Sequence, residues 1–141
     1  MRLVHHKGNL FSCPANVHLV HCVSKDGKMG AGIAKTFQSH FNIRPQFLNS
    51  CREVGGLVAV WRHHRFIVNL VTKEKYYNLP TLHDLKDSLH ALRSFVVQNN
   101  IRVLAMPEIA SGRDKISLNL VVEYLYEIFH NLDIDIHMYH L

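Results

Sequence analysis

Residues 17–37 read VHLVHCVSKDGKMGAGIAKTF and set the pattern for the whole chain. The first seven of them, residues 17–23, are rich in β-branched side chains and predict a buried strand. Gly30 and Gly32 then interrupt the chain, and residues 33–41 have the composition of a helix. A strand that leads through a glycine-rich loop into a helix is typical of a layered α/β domain.

The same alternation continues along the chain. Predicted strands cover residues 57–61, 65–72, 102–107 and 134–139, with a hairpin turn at 63–64 between the first two. Predicted helices cover residues 46–52, the segment from a capping box at 81–84 to 99–100, and residues 117–131. The long helix carries an apolar stripe formed by Leu82, Leu85, Leu89, Leu92 and Val96. This order predicts an α/β fold with a mixed, largely parallel sheet, and the lack of a linker or repeat predicts one domain over residues 1–141.

The composition excludes several classes of protein. With 48% hydrophobic and 19% charged residues, the chain resembles a globular domain. Its longest uninterrupted apolar run, residues 57–61, is far too short to span a membrane, so no membrane association is expected. The N-terminal sequence MRLVHHK lacks the apolar core of a signal peptide. We therefore expect an intracellular protein, cytoplasmic or nuclear.

The cysteines and histidines give little sign of a metal site. Cys13, Cys22 and Cys51 are widely separated and include no Cys-x-x-Cys pair, which predicts buried, reduced thiols. The twelve histidines include the adjacent pairs 5–6 and 63–64, but no His-Glu-x-x-His motif occurs. Metal binding is therefore the weaker interpretation, and no metal or other cofactor is predicted.

The net charge of +5 favours an anionic partner such as a nucleotide, a pyrophosphate or RNA. The basic residues are scattered and form no run of five or six, which makes a nucleic-acid-binding arm the weaker choice. Charge by itself does not distinguish among these ligands.

Two loops are candidates for binding the anion. Residues 29–32 follow the strand at 17–23, and residues 110–114 follow the strand at 102–107. Ligands of open α/β sheets collect at the carboxyl ends of the strands, where backbone N–H groups and helix N-termini attract phosphate. Two such loops that face each other would hold a diphosphate from both sides. The alternative for the first loop is a helix start that merely requires a positive φ.

Four separated segments, KGNLF (7–11), HCVSKDGKMGAGIAKTF (21–37), VTK (71–73) and MPEIASGRD (106–114), occur in an order that closely resembles the macrodomain superfamily. The closest resemblance is to its branch of terminal ADP-ribose protein glycohydrolases. The similarity extends from about residue 7 to the C-terminus. It implies a three-layer α/β/α fold that binds ADP-ribose at the carboxyl edge of the sheet.

The resemblance also implies a role for individual residues. Asn9 stands where the family has the aspartate that contacts the adenine amino group, and Ser24 matches a serine near the distal ribose. The complete set of predicted ligand-binding residues is Asn9, Leu10, Ser24, Met29, Gly30, Ala31, Gly32, Ile33, Ser111, Gly112 and Arg113. Asparagine lacks the charge of aspartate, and we expect weaker adenine binding or looser base selectivity as a result.

Lys73 matches the catalytic lysine of the family, and Asp114 matches its catalytic aspartate. An ADP-ribosyl group on glutamate or aspartate is an ester at the anomeric carbon, which an uncharged amine can attack. A nearby cation such as Lys75 could favour that uncharged form, and a carboxylate could move the protons. Without the resemblance, Lys73 would be interpreted as an exposed lysine at a strand end and Asp114 as a loop residue or helix cap.

These observations predict a monomeric hydrolase that acts on mono-ADP-ribosylated proteins and also on O-acetyl-ADP-ribose. A module that binds ADP-ribose without cleaving it is the main alternative, and an RNA-binding protein is a weaker one. Candidate aromatic walls for the ligand are Phe11, Phe37, Tyr76 and Tyr77. Pairing of Arg113 with Asp114 would alter the proton affinity of the carboxylate.

Overall fold

In the computed structural model, which describes residues 1–141, six strands form one sheet. The strands are β1 (Arg2–Lys7), β2 (His18–Ser24), β3 (Leu57–Arg62), β4 (Arg65–Lys73), β5 (Val103–Pro107) and β6 (Asp135–His140). They lie in the order β1-β6-β5-β2-β4-β3, and every neighbouring pair is parallel except the antiparallel hairpin of β3 and β4. The mixed, largely parallel sheet is thus confirmed. The carboxyl ends of β2, β4 and β5 lie side by side.

Helices cover both faces of this sheet. They are α1 (Gly32–Phe41), α2 (Arg44–Leu48), α3 (Leu82–Gln98) and α4 (Leu118–Phe129), with short 3₁₀ turns at Leu10–Ser12 and Gly112–Asp114. None of them is long and apolar enough to cross a bilayer. Alternate residues of β4 point to opposite faces, so that Ile67 and Val71 join the core under α1 while Val68 and Leu70 join the core under α3 and α4. These two cores confirm the three-layer α/β/α arrangement.

The long helix α3 begins as the capping motif predicts. Oγ1 of Thr81 accepts a hydrogen bond from the backbone N–H of Asp84 at 3.0 Å. Most of the predicted apolar stripe is buried, but Leu82 is 45% exposed. The stripe therefore starts one turn later than predicted, and Leu82 lies on the surface.

The strand β1 is not predicted by the sequence pattern. Only Leu3 and Val4 are apolar in this edge strand, so neither an apolar run nor a clear alternation marks it. Its partner β6 is more than 130 residues away. The pairing is completed by side chains at the surface, including a contact of 2.7 Å between ring nitrogens of His5 and His140.

The helix predicted at residues 46–52 is observed at Arg44–Leu48 instead. Pro45 lies in the first turn, where its fixed φ and missing N–H suit a helix start. Arg52 lies beyond the helix end and donates hydrogen bonds to backbone carbonyls of Lys25, Leu48 and Ser50. The prediction was wrong in position because it placed the helix start after Pro45 and included Arg52, whose side chain is held outside the helix and reaches the distant carbonyl of Lys25.

Candidate active site

A cleft of about 780 Å³ opens at the carboxyl ends of β2, β4 and β5. All the residues predicted to bind ligand or to act in catalysis line it. They are Asn9, Leu10, Ser24, Met29, Gly30, Ala31, Gly32, Ile33, Lys73, Ser111, Gly112, Arg113 and Asp114. The structure thus brings together segments that the sequence keeps up to 105 residues apart, from 9 to 114.

Lys73 and Asp114 form an ion pair inside the cleft. Nζ of Lys73 donates a hydrogen bond to Oδ1 of Asp114 at 2.8 Å. Their side chains are only 15% and 14% exposed, respectively. Lys73 is therefore not the solvated strand-end lysine of the alternative interpretation, and Asp114 does not cap a helix. A shielded amine with a carboxylate in hydrogen-bond contact can exchange a proton directly.

Arg113 does not pair with its neighbour Asp114. Instead its side chain reaches across the cleft, where its Cδ and Nε lie 3.5 Å from the position that a Cβ on Gly32 would occupy. The two loops therefore face each other, as predicted for the binding of a diphosphate. Lys75, the predicted cationic neighbour of Lys73, does not line the cleft, and its charge acts on Asp26.

The first loop presents bare backbone N–H groups to the cleft. Helix α1 begins at Gly32, whose φ of 60° is unfavourable for other residues. The N-cap residue Ala31 supplies no side-chain acceptor, so the first N–H groups of the helix have no cap. Gly32, Ile33 and Ala34 all line the cleft. This end of α1 is suited to bind phosphate oxygens.

The second loop is held by contacts within itself and with β2. Ala110 adopts a φ of 58°, and its backbone N–H acts to lower the pKa of the neighbouring Cys22 thiol. Oγ of Ser111 donates to the carbonyl of Glu108 at 2.9 Å. Ala110 thus fits the loop, although a residue with a side chain is unusual at this φ.

Cys22 lines the cleft close to the ion pair and was not singled out by the sequence as a site residue. Burial and the charge of Asp114 raise the pKa of this thiol to about 12, against the opposing effects of the Ala110 N–H and Lys73. The thiol is thus uncharged at neutral pH. The prediction of buried, reduced cysteines holds for Cys13, fails for the exposed Cys51 and is intermediate for Cys22, and all three are free.

Asp26 connects the end of β2 at Ser24 to the segment that follows Lys73 at the end of β4. Its carboxylate accepts hydrogen bonds from Oγ of Ser24 at 2.5 Å and from the backbone N–H groups of Lys28 and Tyr76 at 3.1 and 2.9 Å. Burial acts to raise the pKa of Asp26, but these hydrogen bonds and the charge of Lys75 together lower it. The Ser-x-Asp spacing at 24–26 is a local signal that could have identified this residue.

Asn9 lies exposed at the opposite end of the cleft. Its Oδ1 accepts the backbone N–H of Phe11 at 2.9 Å and so caps the 3₁₀ turn. The side-chain oxygen keeps a second lone pair that can accept an adenine amino group, but it carries no negative charge. A neutral acceptor forms a weaker hydrogen bond than a carboxylate does, which makes Asn9 a poorer match for the adenine amino group than aspartate.

Of the four aromatic candidates, only Tyr76 lines the cleft. Phe37 is fully buried, and Phe11 stacks on His40 with ring centroids 4.5 Å apart. Tyr77 is 70% exposed and packs edge-on against Tyr76.

No group of three or more His, Cys, Asp or Glu side chains converges on a position where a metal ion could bind.

Known proteins resemble this chain in both sequence and fold. It is 37% identical over 140 residues to the ADP-ribose glycohydrolase OARD1 of Bos taurus, with 99% of this chain and 92% of that protein covered. The OARD1 protein of Homo sapiens is 36% identical with the same coverage. The chain belongs to the macrodomain superfamily, in its terminal ADP-ribose protein glycohydrolase branch.

This macrodomain also superimposes on a solved structure titled "Macrodomain of Thermus aquaticus DarG". The TM-score is 0.88 at 21% identity, with 99% of this chain and 98% of that chain covered. Identity at this level is informative about the fold alone. No protein-family model matches the chain.

Proposed function

We propose that this macrodomain is a hydrolase that removes mono-ADP-ribose from glutamate and aspartate side chains of proteins. The observation that carries the proposal is the shielded ion pair of Lys73 and Asp114 in the cleft. The relatives named ADP-ribose glycohydrolase support it, because they match nearly the whole chain. O-acetyl-ADP-ribose, a small ester of similar chemistry, is proposed as a second substrate.

In the proposed reaction the diphosphate lies between the two loops, against the N–H groups of α1 and the side chain of Arg113. Asp114 takes a proton from the ammonium group of Lys73 through their existing hydrogen bond. The uncharged amine then attacks the anomeric carbon, so that the N–C bond forms as the C–O bond to the protein carboxylate breaks. The carboxylate leaves with the bonding electron pair and needs no proton at neutral pH.

Water completes the proposed reaction. It adds to the anomeric carbon of the lysine adduct and loses one proton to solvent, while the C–N bond breaks with its electron pair going to the lysine nitrogen. The proton held by Asp114 then returns to the amine. The products are free ADP-ribose and the original ion pair. Cys22 lies beside the pair as an uncharged thiol and adds no competing negative charge.

The test is release of free ADP-ribose from a protein that carries the group on glutamate. We expect release by the wild-type chain under single-turnover conditions, with no added metal. Binding of ADP-ribose without any release would support instead a module that recognises the modification and would contradict the hydrolase. Tight, strongly salt-dependent binding of unmodified RNA would favour the weaker RNA-binding alternative.

We also propose that the protein is a monomer in the cytoplasm or nucleus. Three free thiols, one of them exposed at Cys51, are compatible with a reducing compartment. Cell fractionation and sedimentation velocity test these two points. Recovery in a secreted fraction, or a stable dimer at micromolar concentration, would contradict them.

A further inference from the structure

Large apolar side chains are exposed in unusual number along one short segment, residues 76–82. Tyr76, Tyr77, Leu79 and Leu82 are 55%, 70%, 59% and 45% exposed, respectively. The first three lie in the connection between β4 and α3, and Leu82 is the first residue of α3. Other exposed apolar residues, such as Trp61, Val97 and Tyr126, are scattered singly, which is normal for a protein surface.

This segment has a defined conformation beside the cleft. The side chain of Asn78 accepts the backbone N–H of Lys75 at 3.0 Å, and the N–H of Asn78 donates to the carbonyl of Lys75. The N–H of Tyr76 is held by the carboxylate of Asp26. The segment begins three residues after Lys73 and shares the wall of the cleft through Tyr76. It is therefore anchored at the end of the cleft where the proposed nucleophile lies.

Two cations accompany the apolar side chains. Nζ of Lys28 lies 5.2 Å from the centroid of the Tyr76 ring. Lys75 follows Lys73 by two residues and contributes its charge at Asp26. Neither Lys28 nor Lys75 forms a salt bridge, whereas Lys25, Lys73 and Lys86 each do. The surface beside the nucleophile thus combines exposed apolar side chains with two lysines that form no salt bridge, next to the carboxylate of Asp26 and the exposed Glu74.

The chemistry of the proposed reaction fixes what must approach this surface. The protein carboxylate is bonded to the same carbon that Lys73 attacks, so the polypeptide next to the modified residue must lie within a few ångströms of the Lys73 end of the cleft. We propose that Tyr76, Tyr77, Leu79, Leu82, Lys28 and Lys75 form a docking surface, here named the carrier rim. Its partner is an acidic polypeptide segment that flanks the ADP-ribosylated residue. The inference rests on the proposed function.

The side chains favour a polypeptide over a nucleic acid as the carrier. Bases stack on aromatic rings, but the two leucines offer no stacking face. A phosphate backbone is also followed by a row of cations, whereas the carrier rim has only Lys28 and Lys75 as unpaired ones. Acidic and aliphatic side chains of a peptide match both the ammonium groups and the leucines.

The test compares a large and a small substrate. One is an acidic peptide with ADP-ribose on a central glutamate, and the other is O-acetyl-ADP-ribose, which has no polypeptide. The double variant Tyr77→Ala/Leu79→Ala changes the carrier rim at two positions that do not themselves line the cleft. We expect its KM for the peptide to rise roughly five- to twentyfold, a loss typical of a few interface side chains. Its KM for the small ester is expected to change less than about twofold, within the range of a neutral surface substitution.

The matched control is the double variant Val97→Ala/Tyr126→Ala, which removes exposed side chains of similar character elsewhere. It should behave as wild type with both substrates. Lys75→Ala should raise the KM for the acidic peptide. When the acidic residues of the peptide are replaced with glutamine, most of this difference in KM between wild type and Lys75→Ala should disappear. Equal effects of the carrier-rim variant on both substrates, or an equal effect of the control variant on the peptide, would overturn the inference.

Binding separates the carrier rim from the catalytic proposal. In a Lys73→Ala background, the Kd of the ADP-ribosylated peptide should rise with Tyr77→Ala/Leu79→Ala while the Kd of free ADP-ribose stays unchanged. This measurement stands even if the wild-type chain releases nothing. The assignment would be contradicted if Tyr77→Ala/Leu79→Ala raised the Kd of an ADP-ribosylated oligonucleotide but not that of the peptide. A wild-type dimer that dissociates in the carrier-rim variant would also contradict it.

Discussion

Nζ of Lys73 lies 2.8 Å from Oδ1 of Asp114, although 41 residues separate the two in sequence. The pair joins the end of β4 to the loop after β5, and both side chains are largely shielded from water. Desolvating such a pair costs free energy, which the attraction between the two charges offsets. Removing one partner therefore leaves the other charge buried without compensation. This arrangement makes the two single substitutions informative in different ways.

Replacing Lys73 with alanine removes the proposed nucleophile. We expect kcat for ADP-ribose release to fall more than about a thousandfold, as when a nucleophile is removed from other enzymes. The affinity for free ADP-ribose should remain within a few fold, because the two loops proposed to hold the phosphates are intact. Single-turnover release and isothermal calorimetry measure the two quantities. Lys86→Ala, which removes a surface lysine on α3, is the control, and substantial turnover by the Lys73 variant would refute the assigned role.

Replacing Asp114 with asparagine keeps the shape of the side chain but removes its charge. Lys73 then lacks the group that takes its proton, and we expect kcat to fall roughly a hundred- to ten-thousandfold. Because the loss concerns protonation, raising the pH should recover part of the rate in this variant and much less in Lys73→Ala. Rates measured between pH 6 and 9.5 test this expectation. A variant with the wild-type rate and pH profile would show that Asp114 is not needed.

Replacing Asn9 with aspartate places a charged acceptor at the adenine end. One carboxylate oxygen can retain the N–H of Phe11 while the other accepts the adenine amino group. A charge-assisted bond is about twice as strong as a neutral one, and we expect the Kd of ADP-ribose to fall roughly three- to tenfold. The analogue with hypoxanthine, which has a carbonyl in place of the amino group, should gain nothing. An unchanged Kd for ADP-ribose would make the prediction wrong.

Asp26 should make the stability of the domain depend on pH. Its folded-state pKa is lowered, so its contribution is present above its ordinary value of 3.8 and is lost as the pH falls through the folded-state value. At pH 7 we expect Asp26→Asn to reduce the free energy of unfolding by about 1–3 kcal/mol, since three hydrogen bonds to a charged group are weakened. The difference from wild type should shrink below pH 3.8. Urea unfolding at several pH values measures it.

The control for Asp26 is Asp133→Asn, which breaks an exposed pair with Arg102 at 2.6 Å. Exposed ion pairs contribute little, so this variant should lose less than about 1 kcal/mol at pH 7. An equal loss in both variants would show that the hydrogen bonds of Asp26 contribute no more to the free energy of unfolding than an exposed ion pair does.

Much of the fold could be predicted because its elements have local causes. The β-branched run at 17–23 and the capping residue Thr81 define β2 and the start of α3 without any partner. The errors fall where distant contacts replace local ones. Strand β1 is defined by pairing with β6, and Leu82 lies on the surface because the core begins one turn later in α3.

By itself, the sequence determined most of the alternation of strands and helices, the two loops at the cleft and many of the residues that line it, because periodicity and glycine placement are local properties and the four motifs follow one another along the chain. Only the tertiary structure decided that Lys73 is paired with Asp114 and not solvated, that Arg113 reaches Gly32, and that Oδ1 of Asn9 accepts the N–H of Phe11. Those facts depend on where side chains from separate loops meet, and hydrogen bonding and burial between distant segments leave no periodic trace in the chain.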